Sequence, residues 1–298
     1  MKTSISSILL MAILTLSLGS CQKDKIDDKD KDKNENINYE TLAEDAAISE
    51  KLSEDLFKVV DEESKNGKYS DEVGKTDLGV VQYKSVQDSC AIVTINTNGG
   101  NFPMTLTIDF GSGCTDYYGV ERKGKVIAEF TDNYRNAGAK VNVSVEDYYV
   151  NDYKIEGTKT ITNNGRNGNN NLTFSVEDNN VRFIKPGGGV ITWESERTNE
   201  WTEGEGTTFW THGWEDGVCD DIYLITGWGE GVTSDGQDYR LDVVDPLQKD
   251  VCCLWVNKGS IKYTVNNQEL ATLDYGDGTC DFNANLNYNG NSIVIIIK

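Results

Sequence analysis

A single histidine, His212, occurs among the 298 residues of this chain. Serine and cysteine triads need a general base beside the nucleophile, and the sequence has no Gly-x-Ser-x-Gly motif. Cys-x-x-Cys pairs and glycine-rich phosphate loops are also missing, which disfavours zinc and nucleotide sites. We therefore expect a non-catalytic protein without a cofactor. One catalytic alternative stays open, a glycoside hydrolase that uses two of the 49 acidic residues, because sequence does not give their separation.

Basic residues are scarce as well. The chain has 28 Lys and Arg against 49 Asp and Glu, which gives a formal net charge of -21. A strongly negative field repels the phosphates of nucleic acids, so we expect no nucleic-acid partner. A basic protein partner is compatible with this charge.

The first 20 residues have the pattern of a signal peptide. Lys2 is their only charged residue, and it precedes an apolar run, residues 8–14, that is too short to span a bilayer. The run leads to residues 18–21, Leu-Gly-Ser-Cys, which resemble the lipobox of bacterial lipoproteins. The resemblance implies cleavage before Cys21 and acylation of Cys21, so that lipid anchors the protein to a membrane. An ordinary secretory signal, with Cys21 as a spare thiol, is the alternative.

Residues 21–38 are rich in Lys and Asp and are predicted to be a disordered tether. They resemble the tethers that Bacteroidota-type lipoproteins use as a surface-export signal. Residue 22 is Gln, and not the Asp that retains many proteobacterial lipoproteins at the inner membrane. We therefore expect a lipid-anchored protein of the outer membrane, exposed at the cell surface. A simple solvated spacer is the alternative role for the tether.

One helix is predicted before a long β region. Residues 39–66 place apolar side chains at spacings of three and four among acidic ones, without Gly or Pro, as in an amphipathic helix. From residue 79 to residue 298 the pattern alternates with period two between Asn/Gly-rich turns. The sequence therefore predicts an all-β domain, either an antiparallel β-sandwich or an extended β-meander, with the helix packed on its sheet.

A short internal similarity lies within the β region. Residues 108–114, Ile-Asp-Phe-Gly-Ser-Gly-Cys, return with one insertion as residues 273–280, Leu-Asp-Tyr-Gly-Asp-Gly-Thr-Cys. We interpret this as two related β units, about 79–190 and 191–298, each with a disulfide that ties its turn to a neighbouring strand.

Removal of the lipidated Cys21 from the seven cysteines leaves an even number in an oxidising compartment. The two members of a vicinal pair point to opposite faces of a strand, so two different partners are expected for them. The predicted bridges join Cys90 to Cys114, Cys280 to one of the vicinal Cys252 and Cys253, and Cys219 to the other.

The plan of a helix followed by a sheet, the repeated turns and the stretch 102–111, Phe-Pro-Met-Thr-Leu-Thr-Ile-Asp-Phe-Gly, resemble a group of uncharacterised Bacteroidota surface lipoproteins. The likeness covers most of residues 39–298. It implies a location and an architecture but no activity. Cys219 and the second cysteine of the vicinal pair are additions to the pattern of this group.

A tryptophan-rich segment between residues 193 and 228 is the candidate binding region. Alternation places Trp193, Arg197 and Trp201 on one face of a continuous strand. Exposed indoles stack on sugar rings while neighbouring acids and amides bind hydroxyls, so this face would suit a glycan. Core packing of the indoles is the alternative interpretation. The candidate ligand-binding residues are Trp193, Arg197, Trp201, Trp210 and Trp214.

A structural calcium ion is a further hypothesis. Asp274, Asp277 and Asp281 offer carboxylate oxygens, but their spacing does not match a dedicated calcium loop, and Asp is equally common in turns. The combined prediction is a non-catalytic surface lipoprotein that binds an extracellular or envelope ligand, with a glycan favoured. The alternative is a structural or protein-partner module of the outer membrane, which an exposed edge strand or apolar patch would favour.

Overall fold

A computed structural model describes residues 39–66, 80–85, 90–97, 102–116, 119–253, 255–281, 283–288 and 290–296. The predicted signal peptide, Cys21 and the tether lie outside these residues. Within them, no helix combines the length and apolar character that a membrane span requires.

The predicted helix is present as α1, Tyr39–Asn66. Its apolar side chains at positions such as Leu42, Ala46 and Val60 are fully buried. The burial extends beyond this stripe, because Asp45 and Glu63 are also 0–1% exposed. An amphipathic helix on a flat sheet would keep such carboxylates in water, so α1 is enclosed on more than one side.

The other described residues include fifteen strands and one short helix, α2. The elements are β1 Val80–Lys84, β2 Ile92–Asn96, β3 Met104–Asp109, β4 Cys114–Thr115, β5 Glu121–Phe130, β6 Lys140–Val150, β7 Tyr153–Arg166, β8 Leu172–Ile184, β9 Val190–Glu203, α2 Phe209–His212, β10 Ile222–Val232, β11 Asp238–Asp250, β12 Lys258–Val265, β13 Gln268–Asp277, β14 Asn283–Tyr288 and β15 Asn291–Ile296.

All strands belong to one antiparallel sheet whose order follows the chain, with β4 paired beside β5. The all-β prediction is confirmed in its meander form, since one continuous sheet replaces the two sheets of a sandwich. β1 and β15 are the ends of this sheet. Residues Ile37–Lys298 form one compact unit, so the two predicted β units are not separate bodies.

The sheet curls around α1. The Asp61 carboxylate accepts hydrogen bonds from the hydroxyl groups of Tyr134, 2.7 Å away, and Tyr223, 3.1 Å away. Tyr134 follows β5 and Tyr223 lies on β10, with four strands between them in the sheet. Strands lie about 4.8 Å apart, so a flat sheet would separate these two residues by about 20 Å or more. Only a strongly curved sheet brings both to one carboxylate on α1.

The repeated turns adopt the same local geometry. The Asp109 side chain accepts a hydrogen bond from the backbone N–H of Gly111, and the Asp274 side chain accepts one from Gly276, both at 2.8 Å. Both glycines have positive φ, which is why glycine occupies this position in each copy.

Three disulfides join Cys90 to Cys114, Cys219 to Cys252 and Cys253 to Cys280. The predicted pairing is confirmed, and the structure resolves which vicinal cysteine bonds to Cys280. The vicinal pair lies in a turn after β11 and not in a strand, so the expectation of alternating strand faces was wrong for these residues.

Candidate functional site

The indoles of Trp193 and Trp201 lie in the core, each 1% exposed. The predicted alternation is correct, because both side chains and Arg197 share one face of β9. That face is the inner one, so the expected platform for sugar stacking was wrong for these residues. The Trp193 N–H donates to Asp178 at 3.0 Å and the Trp201 N–H donates to Asp221 at 2.8 Å.

The remaining members of the predicted platform are spread over other surroundings. Arg197 is 3% exposed and forms a 2.5 Å ion pair with Glu50 of α1. Trp214 is half-buried and packs against the core, and Trp210 lies within α2. These residues do not form one surface with Trp193 and Trp201.

Room for the Trp193 indole comes from a glycine on the neighbouring strand. A Cβ atom on Gly229 of β10 would lie 2.1 Å from the Trp193 ring. The segment is therefore built around a buried indole, and core packing is the interpretation that the structure supports.

The calcium candidates are not brought together. Asp274, Asp277 and Asp281 each accept a hydrogen bond from a backbone N–H two residues later, at 2.8, 3.1 and 2.8 Å. Among the described residues, which include all three, no group of three or more acidic, cysteine or histidine side chains could hold a metal ion. These aspartates therefore act as turn residues.

A cavity of about 940 Å³ lies between α1 and the curved sheet. It is bordered by the side of α1 that carries Lys51, Glu54 and Lys58, and by inward-facing residues of the sheet. Much of the wall is apolar, and its apolar side chains include Phe57, Ile225, Leu273, Leu286, Tyr275 and Ile295. The last three strands thus meet the helix across an open space, whereas β8, β9 and β11 contact it directly.

Glu54 and Lys249 of this wall have pKa values that are shifted to near neutrality. Desolvation, reinforced by the nearby charge of Glu50, raises the pKa of Glu54 to about 7. Desolvation and the charge of Lys58 lower the pKa of Lys249 to about 7. Burial penalises the charged form of each group, so both stand near the middle of their titration at neutral pH.

Asn199 of β9 also borders the cavity. Its side chain is 0% exposed, yet neither its amide nitrogen nor its amide oxygen has a hydrogen-bond partner among the described residues. A buried amide without partners costs about 1–3 kcal/mol, so such groups are rare in folded proteins. The register aligns Asn199 with Ile225 of β10 and Ile225 with Leu247 of β11, two residues before Lys249.

Sequence reasoning did not find this cavity. Part of the signal was present in α1, where Lys51, Glu54, Asp55 and Lys58 form a charged side opposite the apolar stripe. Such a side is usually solvated, and only the curvature of the sheet turns it into a cavity wall.

Comparison with protein-family models, curated proteins and solved structures found no match for this chain. The functional argument therefore depends on the geometry of the cavity and on the sequence.

Proposed function

We propose that the protein is a non-catalytic, lipid-anchored protein of the outer-membrane surface that binds an apolar or amphipathic envelope molecule between α1 and the sheet. The observation that carries this proposal is the cavity of about 940 Å³. Ligand sites are typically clefts of about 300–1,000 Å³ with mostly apolar walls and a few polar groups.

The expected location supports the same ligand class. Acylation of Cys21 would hold the domain close to a membrane, where apolar and amphipathic molecules are concentrated. The tether, residues 21–38, would leave the domain free to meet such molecules.

A glycan is now less favoured than the sequence suggested. Sugar binding by stacking requires exposed rings, and the indoles of Trp193 and Trp201 are each 1% exposed. The melting-temperature measurements described next therefore also include a panel of polysaccharides as the competing ligand class.

The test uses the full chain with Cys21→Ser, which removes the acylation site. We expect the neutral dye Nile red to bind saturably with increased fluorescence, and an apolar ligand to raise the melting temperature. The variant Ala47→Trp places a large ring on the exposed side of α1 that borders the cavity, and it should abolish dye binding.

The matched control is Ala137→Trp, because Ala137 is exposed in the turn between β5 and β6 and does not border the cavity. It should bind the dye as the parent does. Absence of saturable binding in the parent, or equal binding by both variants, would contradict the proposal. A melting shift with one polysaccharide class alone would return the glycan to first place.

A second candidate function, a protein-partner module, is favoured by the edge strand β15. Its side chains Ile293, Val294 and Ile296 are 56%, 68% and 66% exposed. An exposed apolar edge strand can pair with a strand from another protein. The net charge of -21 favours a basic partner for this edge.

Val294→Lys adds a repelling charge to this edge and leaves the cavity wall unchanged, because Val294 does not border the cavity. If β15 docks a basic protein, this variant should lose specific cross-links at the cell surface and keep Nile red binding. An unchanged cross-linking pattern would contradict this second function.

A further inference from the structure

The two unpartnered atoms of the Asn199 amide indicate what kind of molecule the cavity accepts. An amide that lacks partners offers a donor group, NH2, and an acceptor, the carbonyl oxygen, side by side. The amide borders the cavity but is 0% exposed, so neither water nor a ligand reaches it until neighbouring side chains shift. A ligand group that both accepts and donates a hydrogen bond would match it.

The charge of the wall narrows the class of head group. Seven acidic side chains border the cavity against four basic ones, so the wall disfavours an anionic head. Two of the basic groups, Lys58 and Arg122, lie close to acids, and Arg122 forms ion pairs with Asp55 and with Asp116. Two of the four basic groups are thus already engaged with acidic side chains of the protein.

A cationic head is disfavoured for a different reason. The pKa of Glu54 is raised to about 7 by desolvation, so this carboxyl is partly neutral at neutral pH. Lys249, whose pKa is lowered to about 7, is partly neutral as well. The interior of the cavity therefore disfavours charge of either sign on a ligand.

We propose that the cavity binds amphiphiles with an uncharged, hydrogen-bonding head, such as a hydroxyl or amide group, and that Asn199 contacts this head. This inference rests on the proposed function and names its ligand class. The apolar wall formed by β13, β14 and β15 accommodates the hydrocarbon body.

Three ligands of equal chain length test the inference by displacement of Nile red from the full chain with Cys21→Ser. They are decane, which has no head, decanol, which has a neutral head, and decanoate, which has an anionic head. We expect decanol to bind about tenfold or more tightly than decane, because a buried amide gains its missing partner. Decanoate should bind more weakly than decanol at neutral pH.

Asn199→Leu should remove the preference for decanol over decane and keep the binding of decane. Asn199→Val serves the same purpose if leucine is too large for the site. The matched control is Asn142→Leu, because Asn142 of β6 is exposed and does not border the cavity. This control should keep the preference of the parent.

The outcomes separate the two proposals. If decane and decanol bind equally in the parent, if decanoate binds most tightly, or if both Asn199 variants keep the preference, the head-group inference is overturned while ligand binding stands. If none of the three displaces the dye, the proposed function fails and the inference fails with it.

Discussion

Asp178 and Glu54 are two carboxylates at the interface of α1 and the sheet, and their pKa values are shifted in opposite directions. Burial alone would raise the pKa of Asp178, but the charge of Lys159 and hydrogen bonds from Lys159, Ser53 and Ser195 hold it below its usual value. For Glu54, desolvation prevails and the pKa rises to about 7. Asp178 is 3% exposed and Glu54 is half-buried, so the difference in pKa comes from the partners and not from deeper burial of Glu54.

The surroundings of Asp178 are fully paired. Lys159 forms an ion pair with it at 2.7 Å, and Ser53, Ser195 and Trp193 donate hydrogen bonds to it at 2.5, 2.7 and 3.0 Å. This network holds α1 on the sheet, because each of these polar groups has a hydrogen-bond or ion-pair partner. Next to the cavity, by contrast, both polar atoms of the Asn199 amide lack a partner among the described residues, and Glu54 is half-buried. We interpret the first region as structural and the second as available to a ligand.

The largest expected effect comes from breaking the paired region. Lys159→Met leaves Asp178 as a buried charge without its ion-pair partner, since both side chains are only 1% exposed. Loss of one member of a buried pair costs about 3–5 kcal/mol, and urea-induced unfolding would measure it. The double variant with Asp178→Leu should recover only part of this loss, because it removes the orphaned charge but leaves Ser53, Ser195 and Trp193 without their acceptor.

Lys154→Met is the matched control on the same strand, since Lys154 pairs with Glu156 at the surface. It should leave the unfolding midpoint unchanged. A small effect of Lys159→Met, equal to that of the control, would mean that Asp178 does not depend on its ion pair, and the comparison would lose its basis.

The second prediction concerns the pH dependence of the free energy of unfolding, which Glu54 should influence. The pKa of Glu54 is raised in the folded state, from 4.5 to about 7, so the folded protein holds this proton more tightly than the unfolded chain. Its contribution to stability is fully present below about pH 4.5 and is lost as the pH rises to about 7. Glu54→Gln removes this loss. Relative to the parent, its free energy of unfolding should therefore be higher by about 2–3 kcal/mol more at about pH 8 than at about pH 5.

Lys249 affects stability over a different pH range. Its pKa is lowered in the folded state, so its contribution to the free energy of unfolding is present above about pH 10.5 and is lost as the pH falls to about 7. The control Glu177→Gln changes an exposed carboxylate of β8 and should follow the parent at every pH. Parallel pH profiles for Glu54→Gln and the parent would show that Glu54 titrates as an ordinary carboxyl.

The bounds of α1 and the chain of strands could be predicted from the sequence, because periodicity reports local structure directly. The disulfide between Cys90 and Cys114 could also be predicted, because Cys114 lies at the end of a recognisable turn. The choice between a sandwich and a meander depends on sheet curvature. Curvature results from the summed twist of many strands and leaves no single residue as its signal.

The burial of the tryptophan face of β9 could not be predicted from the sequence either. Alternation places Trp193, Arg197 and Trp201 on one face correctly, but period two does not state which face is the inner one. Indoles next to glutamates were interpreted as a surface, although Glu194 and Glu196 are the residues that face water. Gly229 makes room for the Trp193 ring, and only the pairing of β9 with β10 in the structure shows this.

The smallest expected effect tests that corrected role of the indole. Trp193→Phe keeps an aromatic ring in the core but removes the N–H that donates to Asp178 at 3.0 Å. Three partners of Asp178 stay in place, so we expect a loss of about 1–2 kcal/mol in urea unfolding. Trp214→Phe changes a half-buried indole and should cost less. Both variants should bind Nile red as the parent does. If Trp193→Phe kept its stability and lost ligand binding instead, the indole would belong to the binding site, and the division into a paired structural region and an open binding region would have to be redrawn.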